Sequence, residues 1–131
     1  MMTFSLHIDS TSPQRSTLHL HGRLDAMTFG EFDEAAAPVL HGMAEGGTVV
    51  LDLSALVYIS SAGLRSIAKI RKSMRARHGH TLLLHPQPQV RKVFDIVKAV
   101  PVSEVFSSTE ELDQYLDRIQ RKIVEGDEDG D

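Results

Sequence analysis

The segment Thr48-Val-Val-Leu-Asp-Leu-Ser54 is a near-continuous apolar run, and a short link carries it into a stretch with helical periodicity. A continuous run suits a strand covered on both faces, whereas a half-exposed strand alternates. The stretch from about Ala62 to Arg77 sets Leu64, Ile67, Ala68, Ile70 and Met74 on one side and most of its bases on the other, and Gly79 closes it. A buried strand feeding an amphipathic helix is the repeating unit of an α/β sheet, so Thr48–Ser54 is predicted to be its central strand.

The flanking sequence extends this unit in both directions. Phe4-Ser-Leu-His-Ile8 and Leu18-His-Leu-His-Gly-Arg-Leu24 alternate with period two, and the polar residues 10–16 between them predict an N-terminal hairpin. Thr28-Phe-Gly-Glu31 has the form of a capping box and opens a helix carrying Phe29, Phe32, Ala36, Val39, Leu40 and Met43; Pro38 predicts a kink, and Gly46-Gly47 an end. Thr81-Leu-Leu-Leu-His85 predicts another short buried strand. Pro88 suits the first turn of a helix with Val90, Val93, Phe94 and Val97, and Val102 to Phe106 predicts a last strand. Ser108-x-x-Glu111 opens a final helix with Leu112, Tyr115, Leu116, Ile119 and Ile123 on one stripe. The expected order is β-β-α-β-α-β-α-β-α, an α/β domain whose mixed sheet is largely parallel.

A chain of 131 residues holds one domain at ~100–150 residues each. Residues 1–124 are assigned to it, and the tail 125–131, acidic and without an apolar side chain, is expected to be disordered. No apolar run approaches the ~18–20 residues that span a bilayer, and Met1-Met2-Thr3-Phe4 lacks the basic start and long apolar stretch of a signal peptide. The expectation is a cytoplasmic protein with no membrane insertion. The absence of cysteine removes disulfides, thiolate metal sites and cysteine nucleophiles together. There is no P-loop, dinucleotide-binding glycine motif, His-Glu-x-x-His or Gly-x-Ser-x-Gly, so no enzyme activity and no cofactor are expected. His7, His19 and His21 fall on one predicted hairpin face, read as a solvated sheet surface with no metal.

Charge is segregated along the chain. Arg65, Lys69, Arg71, Lys72, Arg75, Arg77, Arg91 and Lys92 lie in a segment, 53–94, that holds no acid, while both flanks are acidic. The helical bases, Arg65 to Arg77, suit a solvated face or an acidic partner. The acidic flanks, and a helix without aromatic side chains for stacking, argue against direct nucleic-acid binding.

Between strand and helix stands Leu51-Asp-Leu-Ser-Ala-Leu-Val-Tyr-Ile-Ser-Ser-Ala-Gly-Leu-Arg65. A serine there can cap the free amides of the first turn, and those amides also favour an anion. This segment, together with Gly22-Arg-Leu-Asp-Ala26 and, less specifically, Pro86-Gln-Pro-Gln-Val-Arg-Lys-Val-Phe-Asp95, resembles the STAS family of bacterial anti-sigma factor antagonists and their relatives over roughly residues 3 to 118.

The resemblance implies a phosphoacceptor serine at Ser61, phosphorylated by a serine kinase that doubles as the anti-sigma factor and dephosphorylated by a serine phosphatase. It places the family glycine and leucine on Gly63 and Leu64 and the hairpin-end acid on Asp25. Many members carry Asp before the acceptor and Ser after it, where this chain has Ser60 and Ala62, so Ser60 competes as acceptor. Partner contacts are expected at Asp25, Ser60, Ala62, Gly63, Leu64, Arg65, Lys69 and Lys72. The alternatives within the same family are a constitutive STAS subunit of a lipid-transport ATPase complex and a small-ligand or nucleotide-binding STAS domain.

Overall fold

The computed structural model describes residues 3–126, and the acidic tail expected to be disordered lies, from residue 127 onward, outside them. In chain order the elements are β1 (Phe4–Ser12), β2 (Arg15–Leu24), α1 (Phe29–His41), β3 (Thr48–Ile59), α2 (Ser61–Ala76), β4 (His80–Leu84), α3 (Pro88–Ala99), α4 (Val102–Val105) and α5 (Thr109–Val124). One four-stranded sheet has the order β1-β2-β3-β4. β1 is antiparallel to β2, and β2, β3 and β4 run parallel. This is the mixed α/β sheet that the alternation of periods predicted, with the apolar run in an interior strand. The hairpin is tighter than its polar stretch implied: Ser12 pairs with Arg15, leaving only Pro13 and Gln14 to turn the chain.

One face of the sheet carries the core. Leu18, Leu20 and Leu24 of β2 and Val49, Leu51, Leu53, Leu56 and Ile59 of β3 are fully buried. They join Phe32 and Ala36 of α1, Ile67, Ile70 and Met74 of α2, Val90 and Val93 of α3, and Leu116 of α5 in a single cluster. Each large apolar side chain so buried contributes about 1.5–3 kcal/mol. On the other face Val50 is buried, but Asp52 is only half-buried and Ser54 is exposed, so the apolar run is covered on both faces over part of its length. His19 Nδ1 lies 2.7 Å from Asp52 Oδ2 on this face. Burial raises the Asp52 carboxyl, but hydrogen bonds from the Ser54 amide, His19 and the Ser54 hydroxyl outweigh it and hold the pKa below its ordinary value.

Several local expectations are corrected. Val102–Phe106 is not a strand: Val102–Val105 is the helical turn α4, with Pro101 at its N-cap and the Glu104 and Val105 amides donating to the Pro101 carbonyl. Nor is β4 the buried strand expected of Thr81–His85: it is an edge of the sheet, with Leu82 49% and Leu84 40% exposed. β4 pairs with β3 only as far as Asp52. Beyond that point glutamine side chains take the edge, Gln87 donating to the Ser54 carbonyl at 2.8 Å and Gln89 to the Val57 carbonyl at 3.0 Å. Thr28 makes no side-chain cap; its hydroxyl donates to the Arg23 carbonyl instead and receives the Asp25 N–H. Helix α1 runs through Pro38 to His41, ending before Gly46-Gly47. After α2 the left-handed conformation falls to His78 (φ 56°), while Gly79 provides close approach, since a Cβ there would lie 2.5 Å from the Gly47 carbonyl oxygen. Among the described residues no helix is long and apolar enough to cross a membrane.

Candidate functional site

The site forms where β3 ends at Ile59 and α2 begins at Ser61. Ser60 is the N-cap of α2: its backbone is extended, and its Oγ accepts a long 3.5 Å hydrogen bond from the Gly63 N–H. Its own N–H donates to the Leu24 carbonyl at 3.0 Å, tying the junction to the end of β2. Gly63 makes that close approach possible. A Cβ at this position would lie 2.7 Å from the Leu24 carbonyl oxygen and 2.8 Å from Ile59 Cγ1.

The two adjacent serines therefore differ in chemistry. Both are 3% exposed, yet the Ser60 hydroxyl is committed to the cap while the Ser61 hydroxyl has no hydrogen-bond partner. A buried hydroxyl without a partner is uncommon and costly. The Ser61 backbone amide is bound: it donates to Asp113 Oδ1 of α5 at 2.9 Å. The first-turn amide left open to an anion by the sequence is thus already held by a carboxylate of α5.

Asp113 is the residue that sequence reasoning missed. It lies 52 positions from Ser61, so no local motif contains both. A signal existed in α5 itself. Asp113 and Gln120 lie three residues before and four after the buried Leu116, on the stripe that faces the core, where a polar side chain requires a partner.

The remaining candidates take distinct places. Asp25 knots the β2–α1 loop: Oδ1 accepts from the Met27 N–H at 3.0 Å and lies 3.3 Å from the Thr28 hydroxyl oxygen, and Oδ2 lies 3.5 Å from Arg23 Nε. That knot presents Met27 with 90% of its surface exposed. Ala62 is buried, Leu64 half-buried, and Arg65 and Lys72 exposed. Lys69 is not free, its Nζ lying 2.6 Å from Asp33 Oδ2 of α1. Arg77 leaves the basic face altogether and donates to the Leu40 and Met43 carbonyls.

Two cavities flank the junction. One of about 380 Å³ is lined by Ser61, Leu64, Ile67, Phe94, Val102 and Leu112 among others. The other, of about 560 Å³, includes Arg23, Tyr58, Gln87, Gln89 and Arg121 in its lining. The Arg23 guanidinium carbon sits 3.8 Å from the centre of the Tyr58 ring. Burial, with Asp117 nearby, pushes the Tyr58 phenol up to about 12 against the opposing pull of Arg23.

The STAS domain family model matches residues 7–112. BtrV, a candidate anti-sigma factor antagonist of Bordetella bronchiseptica, is 44% identical over 62 residues, covering 47% of this chain and 53% of BtrV, so that this chain spans about half of that relative. The anti-sigma F factor antagonist of Lysinibacillus sphaericus is 30% identical over 105 residues, 75% of this chain and 86% of that protein. SpoIIAA in its unphosphorylated form superposes with a TM-score of 0.64 at 21% identity, covering 74% of this chain and 84% of that one. The Bacillus cell-fate determinant SpoIIAA in the phosphorylated form gives 0.57 at 22% identity, with 70% and 81% covered. The structural likeness bears on the fold, while the family match runs through the sheet, the β3–α2 junction and the start of α5. The chain belongs to the STAS domain family.

Proposed function

We propose that this protein is a non-enzymatic signalling switch, an anti-sigma factor antagonist that binds an anti-sigma factor with serine-kinase activity while Ser61 is unmodified and releases it once Ser61 is phosphorylated. The observation that carries the reading is the division of labour between the two serines. Ser60 spends its hydroxyl on capping α2, whereas Ser61 offers the uncommitted one beside Gly63. The two curated relatives add weight, since both are described as anti-sigma factor antagonists. So does the existence of SpoIIAA in unphosphorylated and phosphorylated forms.

In the proposed transfer the Ser61 Oγ attacks the γ-phosphorus of ATP. The Oγ–P bond forms, the bond to ADP breaks, and the hydroxyl proton leaves to a base of the kinase. A phosphatase returns the hydroxyl by hydrolysis. The group adds about −1.5 to −2 charges and three acceptor oxygens. A partner surface arranged around a small hydroxyl must desolvate that charge, and about 2.7 kcal/mol of mismatch weakens binding roughly 100-fold.

The proposed interface comprises the Ser61 junction, the β2–α1 loop that presents Met27, and the exposed bases Arg65 and Lys72, which draw in an acidic surface. Residues 1–124 form the working domain, acting in the cytoplasm where an ATP-dependent kinase operates. The test is phosphorylation by the kinase that the protein captures. Ser61→Ala should bind and resist modification, while Ser60→Ala remains a substrate; equal modification of Ser61→Ala and wild type would refute the assignment.

A further inference from the structure

We propose that α5 is a latch over Ser61, closed while the hydroxyl is free and driven open by a phosphate on it; this deepens, and rests on, the reading of Ser61 as phosphoacceptor. Asp113, Leu116 and Gln120 recur at three- and four-residue spacing and share one face of α5. Each touches the junction or the core beneath it. Asp113 receives the Ser61 N–H, Leu116 is fully buried, and Gln120 makes two hydrogen bonds to Ile59. Ile59 and Ser61 flank the N-cap, so two turns of one helix hold the switch segment on both sides.

This docking has two consequences. Ser61 is only 3% exposed and its amide is tied to α5, so lifting the first turns of α5 frees the segment that a kinase must enclose. Once the Oγ–P bond has replaced the bond to ADP and the hydroxyl proton has gone, a group of about −1.5 to −2 charges sits on the residue whose own amide is held by the Asp113 carboxylate. Phosphate and Asp113 then repel each other and compete for the same donor. Gln120 sits two turns further along, so the opening is confined to the first half of α5 and uncovers the apolar lining at Leu64, Phe94 and Leu112. The phosphorylated form therefore differs from the free form in conformation as well as in charge.

Hydrogen exchange on the full chain tests the latch without a kinase. Ser61→Asp should accelerate exchange of residues 109–116 about tenfold or more while residues 18–24 of β2 keep their protection. Ser61→Asn, equal in size but neutral, should stay within about twofold of wild type, and the pair Ser61→Asp with Asp113→Asn should recover protection. Unchanged protection in Ser61→Asp, or equal loosening by Ser61→Asn, overturns the latch. A second arm stands if Ser61→Asp loses its core protection as well: Asp113→Ala should be phosphorylated at Ser61 at least about fivefold faster than wild type, and an equal rate overturns the proposal. A kinase that modifies another residue in both proteins refutes the phosphoacceptor reading instead, and the exchange of the Ser61 variants then decides the latch.

Discussion

Gln120 gives Ile59 both of the hydrogen bonds that an adjoining strand would give it, its Oε1 accepting from the Ile59 N–H at 3.0 Å and its Nε2 donating to the Ile59 carbonyl at 2.9 Å. The side chain stands in for a strand where β4 has already ended. Replacing it with leucine keeps the bulk and leaves two buried backbone groups unpaired, at about 1–3 kcal/mol each. Gln120→Leu should lose about 2–4 kcal/mol in urea unfolding; a loss under about 0.5 kcal/mol would mean that the edge is satisfied some other way.

Two glycines should respond in opposite directions. Gly63→Ala drives a methyl group to 2.7 Å from the Leu24 carbonyl oxygen and should destabilise by about 1–3 kcal/mol. Gly30, in the first turn of α1 with nothing within 4 Å of the added Cβ, should gain about 0.5–1 kcal/mol as alanine. Thermal melts of the two variants, read against wild type, check both signs.

The Tyr58 phenol, raised to about 12 chiefly by burial, links stability to alkaline pH. Its folded value lies above the ordinary value of 10.0. The stabilisation is therefore complete below about pH 10 and is lost as pH rises towards 12. In a Tyr115→Phe background, ultraviolet titration should place the remaining phenol near 12, and Tyr58→Phe should flatten the alkaline fall in stability. A phenol titrating near 10 would contradict the buried setting.

Exposed Lys72 and bridged Lys69 separate steering from scaffolding. Lys72→Glu should slow association with the partner at low ionic strength, and the deficit should fade as added salt shortens the Debye length from about 10 Å at 0.1 M. Lys69→Glu also faces Asp33 and should cost stability as well as rate. An unchanged on-rate for Lys72→Glu would make this face merely solvated.

The parts of the fold legible in the sequence were those set by local periodicity. β3 could be read from its apolar run as far as Ser54, although the residues that read as a link continue the strand to Ile59; α2 could be read from its stripe and α5 from Leu112 through Ile123, because burial demands those spacings wherever the elements end up. Val102–Phe106 misled because its apolar ends fit a strand, whereas beside β3 beyond Asp52 the backbone groups of Ser54, Val57 and Ile59 are already paired with Gln87, Gln89 and Gln120 from elsewhere in the chain. Thr28 misled similarly: its hydroxyl found the Arg23 carbonyl, a tertiary partner that no capping pattern encodes. At the site, Ser61 and Gly63 stood in a contiguous motif, whereas Asp113 reaches Ser61 only because α5 folds back over the junction. Long-range pairing of a polar residue on a buried stripe is visible as an unmet need in the sequence, but its partner is not.

The most direct test of the account is the affinity of the same partner for two forms of the wild-type chain, unmodified and stoichiometrically phosphorylated at Ser61, measured by titration calorimetry with mass spectrometry fixing the site. Binding should be at least about 100-fold weaker for the phosphorylated form, equivalent to about 2.7 kcal/mol. Equal affinity of the two forms would contradict it.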